Sequence, residues 1–478
     1  MKRAVAASPA FARRAVALLP LAVGVASWAC GDDAGQGTSA DSATSADASD
    51  ASDDAGADAA TDISAEPDTA LGPGQARVYR VDPIVTPELE TVTLAHLTPP
   101  YGALTGPYAR VRSCTPDLER GKQTSYQLQN GTMNIVSCVP EQKALPDADG
   151  SYASIVPPAT PADDDGRFAE LMMYHHMQVI HDYYKDFYGL TDRDQPLEAL
   201  TNVETWVDQC DDWEGIANAA FVPQAGLDYF VTGLDVSDIH GDAILFSGTA
   251  DKNFSLDASV IYHEYTHAML GATRLSGVFL DDQGINNLPG ALNEGYADYF
   301  AATQTGEPTI GTYALTDLAE VSFCGASDTG TVVAENYSRD LRDQRHCPDD
   351  LTAEVHADSE IFSTALWAMR DALGKLKADS IALYAVVQLT NESDFDAAAS
   401  YTIAAAKELY GPEDEATVRA IFEARNLVDC GRVVPIEKVG QAELTLRLEG
   451  TRILDLNPPR ATPATCSSAS PSPRARPR

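Results

Sequence analysis

His263-Glu264-Tyr265-Thr266-His267 limits what this chain can fold into more tightly than any other stretch of it. Two histidines four residues apart can meet one ligand when the segment is a helix, because positions i and i+4 share a helical face. Val260, Ile261, Ala268, Met269 and Leu270 make that helix largely apolar, so it is expected to be buried. Two imidazoles and a glutamate are costly in a dry helix unless a metal ion uses them. Glu294 follows in Asn293-Glu294-Gly295-Tyr296-Ala297-Asp298, a second segment with an i, i+4 pair, Glu294 and Asp298. Two His and one Glu leave one position of a tetrahedral ion open, which is the catalytic rather than the structural pattern for zinc. Asp298 is placed to accept the second N–H of a ligating imidazole. Glu264, one residue from the first ligand, is placed to serve as general base on a water. The competing reading, a helix with two solvated histidines, is weakened by the apolar flanks.

With these residues the chain resembles a gluzincin metallopeptidase of the thermolysin and fungalysin type. The runs "ASVIYHEYTHAML" after Asp257 and "GALNEGYADYF" are closer to the fungalysin side, as is the step from His267 to Glu294, which is longer than in thermolysin. The resemblance implies zinc on His263, His267 and Glu294, with Glu264 as catalytic base. It extends to Glu354-Val355-His356-Ala357-Asp358-Ser359-Glu360-Ile361, which is similar to the segment carrying the transition-state histidine, so that role is carried to His356. Asp350 or Glu354 would orient it. Asn218 and Ala219 are similar to the edge-strand pair that holds the substrate backbone, and Arg339 or Arg342 to the arginine that holds a substrate carbonyl. An extended peptide would add to such an edge through main-chain bonds. One departure stands out: residues 268–293 contain no tyrosine, where thermolysin has a second oxyanion donor.

The N-terminus reads as an export signal. Lys2, Arg3, Arg13 and Arg14 precede an apolar stretch from Ala15 to Ala26, too short to span a bilayer permanently. Ser27-Trp28-Ala29-Cys30 resembles a bacterial lipoprotein cleavage site, so a lipid on Cys30 is expected, with plain secretion as the alternative. The expected location is therefore the cell surface or outer membrane, or the medium. Residues 31–70 hold eleven acids and no Lys or Arg, which predicts a disordered spacer extending to about residue 74. The formal charge of −38 excludes a nucleic-acid partner. A polypeptide substrate is expected, with the membrane reached only through the lipid, and a monomer is presumed.

An exported chain with eight cysteines and no CxxC pair predicts disulfides. With Cys30 and Cys466 set aside, proximity suggests Cys114–Cys138 and Cys324–Cys347, leaving Cys210–Cys430, although six cysteines allow 15 arrangements.

The fold class expected is α+β: a two-lobed zincin with a β-containing N-lobe, a central metal helix and a helical C-lobe. Residues 75–160, alternating and rich in Pro and Gly, read as a small β-rich module before a catalytic domain over 161–433. Residues 434–478 read as a tail, with a strand over Ala442–Leu448 and disorder after Pro458. His175, His176 and His181, in a helical pattern over Arg167–Phe187, read as scaffold, with a second metal cluster as the alternative. Asp147-Ala148-Asp149-Gly150 reads as a turn, since it lacks the rest of a calcium loop. One zinc ion is the cofactor expected; calcium has no further support.

The reading is a zinc endopeptidase. Its rivals are an aminopeptidase, whose Gly-x-Met-Glu-Asn string is absent, and a noncatalytic surface lipoprotein on the same fold, which would have lost the base or a ligand.

Overall fold

The computed structural model describes residues 71–431 apart from 98, 129–130, 161–162, 216–217, 231–238, 240, 250, 272–274, 276–278, 282–283, 317 and 319–335, together with 433–435 and 453–455. The export signal, Cys30, nearly all of the acidic spacer, Cys324, Cys466 and the strand expected over Ala442–Leu448 lie outside the described residues.

The first part is built of strands. β1 (Gln75–Tyr79) and β2 (Leu89–Thr93) form an antiparallel pair. β3 (Ala109–Thr115), β4 (Gln123–Leu128), β5 (Gly131–Ser137) and β6 (Val139–Glu141) follow, then β7 (Leu197–Thr201), β8 (Glu204–Val207), β9 (Asp212–Gly215), β10 (Ala219–Val222) and β11 (Ala243–Phe246). Five of them make one sheet in the order β10-β11-β7-β3-β6, and β4-β5-β8-β9 make an antiparallel second sheet. β7 lies at the centre of the first sheet, parallel to β3 and β11, and all five of its residues are buried. Its one charge, Glu198, is admitted because Arg110 and Arg112 hold its two oxygens at 3.0 and 3.1 Å. β10, antiparallel to β11, is an edge.

Helices cover and extend this frame. α1 (Arg167–Asp182) packs on β3 and passes directly into a π-helical turn over Tyr183–Phe187. Its buried Glu170 ties it to the sheet by accepting from the backbone N–H groups of Ser113, Lys143 and Ala144. α2 (Gln224–Phe230) is short, and α3 (Ala258–Leu270) carries the two-histidine motif. α3 packs against α1, β10 and α4 (Leu288–Thr305), so it stands between strands and helices. α5 (Val355–Leu373), α6 (Lys375–Val386), α7 (Phe395–Tyr410) and α8 (Pro412–Glu423) complete the helical part. Their apolar faces merge with those of α1, α3 and α4 in one core that includes Phe300, Phe362, Phe395 and Phe422. No helix among the described residues is long and apolar enough to cross a membrane.

Two expectations need correction. β1 and β2 form a sheet of their own, but β3 pairs with β7 and β5 with β8, so both larger sheets run across residue 160. Alternation identified the strands but carries no information about partners far along the chain. The cysteines pair as Cys114–Cys138, as expected, and Cys347–Cys430, which excludes Cys324–Cys347 and Cys210–Cys430. Cys210 is itself disulfide-bonded, to none of the other described cysteines. Proximity in sequence fails at Cys347 because the chain returns to it after four helices, 83 residues on.

Asp147–Ser151 is a turn, as expected. Gly150 has φ +82°, and its N–H donates to the Asp147 carbonyl. The carboxylates of Asp147 and Asp149 accept from the N–H groups of Ser154 and Ser151.

Candidate metal and catalytic site

α3 begins where Asp257 caps it. The buried carboxylate accepts from Ser259 N–H and hydroxyl with one oxygen and from Tyr313 and Ala314 N–H with the other. The helix start is thereby tied to the segment after α4. α4 begins with Pro289 in its first turn and ends at Gly306, which has φ +79°. The two helices bring His263, His267 and Glu294 together. His263 Nε2 and His267 Nε2 lie 3.0 Å apart, and each faces Glu294 Oε2, at 3.1 and 3.4 Å. For metal bonds of ordinary zinc length, the edge of a tetrahedron is about 3.3 Å. Three acceptor atoms this close repel one another unless protons or a cation sit between them, so the donor set fits a zinc ion.

Each imidazole is oriented from behind. His267 Nδ1 lies 3.0 Å from Asn293 Oδ1, whose amide also donates to the Leu275 carbonyl. His263 Nδ1 lies 2.9 Å from Asp298 Oδ1, at an angle too oblique for a full hydrogen bond. Asp298 is fully buried and is gripped by Arg339 through both oxygens, at 2.6 and 2.7 Å. Each ring therefore turns Nε2 toward the cluster.

The electrostatics follow from burial opposed by opposite charge. Burial depresses His267, but the Glu294 carboxylate outweighs it and raises the imidazole to about 9. His263 is likewise raised against burial by Asp298 and Glu294. Burial pushes Glu294 up, yet His267 and His356 hold it well below the usual carboxylate range. Asp298 is held at about 2 by Arg339 and His263 despite its burial. Without a cation, protons on the imidazoles balance the ionised Glu294 carboxylate, and a divalent ion would bind by displacing those protons.

Glu264 points its Oε2 at β10, where it accepts from Phe221 N–H at 2.7 Å. The edge strand beginning at Ala219 therefore lies directly beside the expected base. Asn218 precedes it, with its Oδ1 accepting from Ala219 N–H and its carbonyl from Ser247 N–H. His356 stands in the first turn of α5, with Nε2 3.6 Å from Glu294 Oε2. Its Nδ1 lies 2.7 Å from Glu354, whose other oxygen caps the helix at Ala357 N–H. Of the two candidates to orient His356, Glu354 does so, while Asp350 accepts from His346 N–H.

The expected arginines part company. Arg339 holds Asp298, and Arg342 lies at the surface, paired with Asp340. Sequence reasoning missed the Arg339–Asp298 pair, the Asn293 contact to His267 and the Phe221 N–H on Glu264. Asn293 adjoins Glu294 and was within reach of the motif. The other two are long-range contacts without a local signal.

Comparisons with known proteins bear on this arrangement. Residues 285–428 match the family model described as the thermolysin metallopeptidase alpha-helical domain. That stretch includes Glu294, Asp298, Arg339 and His356, and begins after the two-histidine helix. Over 204 residues the chain is 31% identical to bacillolysin from Bacillus amyloliquefaciens, which covers 39% of this chain and 35% of that protein. These matches show that the chain is similar, over part of its length, to thermolysin-type metallopeptidases. The chain spans about a third of the length of the curated relative it matches. Among solved structures, the precursor of protealysin, a metalloproteinase from Serratia proteamaculans, is similar at 14% identity with a TM-score of 0.38, covering 66% of this chain and 88% of that one.

Proposed function

We propose that the chain is an exported zinc endopeptidase of the gluzincin type. The observation that carries this reading is the convergence of His263 Nε2, His267 Nε2 and Glu294 Oε2 within 3.0–3.4 Å, with Glu264 on the same helix. Zinc held by these three side chains would polarise a peptide carbonyl and acidify a water at the open position. Glu264 would take a proton from the attacking water and pass it to the leaving amine. His356, raised above its ordinary value chiefly by the Glu294 charge, donates a hydrogen bond from Nε2 to the oxyanion. Asp298 and Asn293 keep the ligand rings in place. The substrate extends along β10, with Asn218 and Ala219 at the start of the edge. Arg339 acts through Asp298 and not on the substrate. The longer step from His267 to Glu294 favours the fungalysin branch.

The two-lobed description rests on α3 standing between strands and helices. Export is supported by the disulfides Cys114–Cys138 and Cys347–Cys430, since such bonds persist in an oxidising compartment. The Cys30 lipid and the acidic tether remain expectations from sequence.

The deciding experiment uses the full-length chain. Zinc per chain and casein cleavage are measured for the protein and for Glu264→Gln. Cleavage should be abolished by a chelator, and Glu264→Gln should keep zinc while losing about 10²–10⁴-fold in rate. Zinc-loaded protein that cleaves nothing would overturn the peptidase reading, and unimpaired Glu264→Gln would overturn the assigned base.

A further inference from the structure

A second group of metal-ligating side chains lies apart from the zinc cluster, at the end of α1. His181 and Asp182 close that helix, and His96 comes from the turn after β2. One ligand atom from each lies within 4.8 Å of the others. His96 Nε2 is 2.9 Å from Asp182 Oδ1, and His181 Nδ1 is 3.0 Å from the same oxygen. These separations resemble those of the first cluster and approach the edge of a zinc tetrahedron, about 3.3 Å.

The surroundings prepare His181 as a ligand. Its side chain is only 3% exposed, and its Nε2 faces Asp194 Oδ1 at 3.0 Å. Asp194 in turn is paired with Lys185 at 2.9 Å, so it stays ionised and takes the Nε2 proton as a hydrogen bond. With its proton on Nε2, the Nδ1 atom beside Asp182 would offer its lone pair to a cation. The same carboxylate–histidine arrangement orients ligands in metal sites generally. Tyr108 stacks on the His181 ring with centroids 3.6 Å apart and meets His96 edge-on at 4.8 Å, which fixes both planes. The backbone accepts strain to deliver the third ligand: His96 has φ +61°, a region a non-glycine residue rarely occupies. α1 widens into its π-helical turn immediately after Asp182, a deviation often found at functional positions. His96 also lines an open cavity of about 600 Å³ with Leu97, Pro100 and Thr105, which leaves solvent access for a fourth ligand.

We infer that His96, His181 and Asp182 form a second site for a borderline divalent cation of the zinc class, tying the turn after β2 to the end of α1. Two nitrogens and one carboxylate oxygen suit zinc and its neighbours better than calcium or magnesium, which prefer all-oxygen sets. His175 and His176 take no part: His176 is spent on Tyr262 and the Tyr79 carbonyl, so the histidine-rich helix divides between scaffold and ligand. This inference does not rest on the peptidase reading.

The test strips the full-length chain with a chelator, reloads it with Zn2+, desalts it and counts zinc per chain by mass spectrometry. Two ions are expected for the unmodified protein, one for His96→Ala, one for His263→Ala and none for the double variant. His96 is partly exposed, so its replacement should leave the fold and casein cleavage intact, and circular dichroism checks the fold. In the unmodified protein zinc should raise the melting temperature in two steps of affinity, and His96→Ala should lose one of them. If His96→Ala keeps the zinc count and the melting profile of the unmodified protein, the inference is wrong. If His263→Ala keeps both ions while His96→Ala loses one, the second site stands and the catalytic assignment falls.

Discussion

At the scale of single residues, the site depends on a chain of charges behind His263. Arg339 grips both oxygens of Asp298, and Asp298 faces His263 Nδ1. A fully buried carboxylate without its guanidinium would be driven toward the protonated form, and a protonated Asp298 supports the ligand ring poorly. Arg339→Gln is therefore expected to weaken zinc binding by about 10–100-fold, with no direct loss of substrate contact. Competition with a chelator reads the affinity, and kcat/KM at saturating zinc should recover much of the loss. An Arg339→Gln protein with unchanged zinc affinity and a raised KM would return the arginine to substrate binding. The clustering of His263, His267 and Glu294 and the place of Glu264 beside them were legible because helical geometry makes their spacing local: i, i+1 and i+4 on one helix, and i, i+4 on the next. Arg339 could be placed near the site from sequence, but its role could not, because Asp298 lies 41 residues away and no periodicity links them.

At the scale of elements, what matters is how closely two helices approach. Gly295, next to Glu294, faces α5 so tightly that a β-carbon there would lie 3.2 Å from the Ser359 carbonyl oxygen. α5 also carries His356, so the glycine sets the distance between the histidine and Glu294. Gly295→Val should push α5 outward, cost about 1–3 kcal/mol of stability and lower kcat while zinc stays bound. Normal kcat in that variant would separate His356 from the chemistry. α1 shows a second effect at this scale. Burial pulls His175 down to about 4 and His176 well below its ordinary value. Both groups bind protons more readily in the unfolded chain, so the stability tied to their neutral forms is present above about pH 6.5 and is lost as the pH falls toward 4. The slope is up to ~1.4 kcal/mol per pH unit for each histidine. Urea unfolding across that range should show it, and His175→Gln should remove about one proton's share; an unchanged slope would mean that His175 is solvated. The helical character of this part was legible, since a helical C-lobe is what the sequence predicts and α5 to α8 supply it. Their close approach was not, because a glycine within a helix reads only as a weak point until its neighbour is known.

Over the whole molecule, connectivity was the least legible property. The sheets join β3 to β7 and β5 to β8 across the expected boundary at residue 160, so residues 109–141 and 197–215 share a frame. A truncation that removes residues 75–160 would strip β3 from beside the central strand and expose a buried edge. Cys347–Cys430 acts at the same scale in the helical part. It joins the segment before α5 to the segment after α8, closing a loop of 83 residues around four helices. Both sulfurs are buried against that core. Cross-linking ends this far apart restricts the unfolded chain strongly, and its removal should cost about 2–5 kcal/mol. α5 carries His356 and α4 carries Glu294, so loosening these helices should be felt at the site as well as in the melting point. Cys347→Ser with Cys430→Ser is expected to lower the melting temperature by several degrees and to reduce casein cleavage near that temperature, while zinc per chain at low temperature stays unchanged because α3 and α4 pack directly on each other. A double variant that melts like the unmodified protein would show that the four helices keep their places without the bridge.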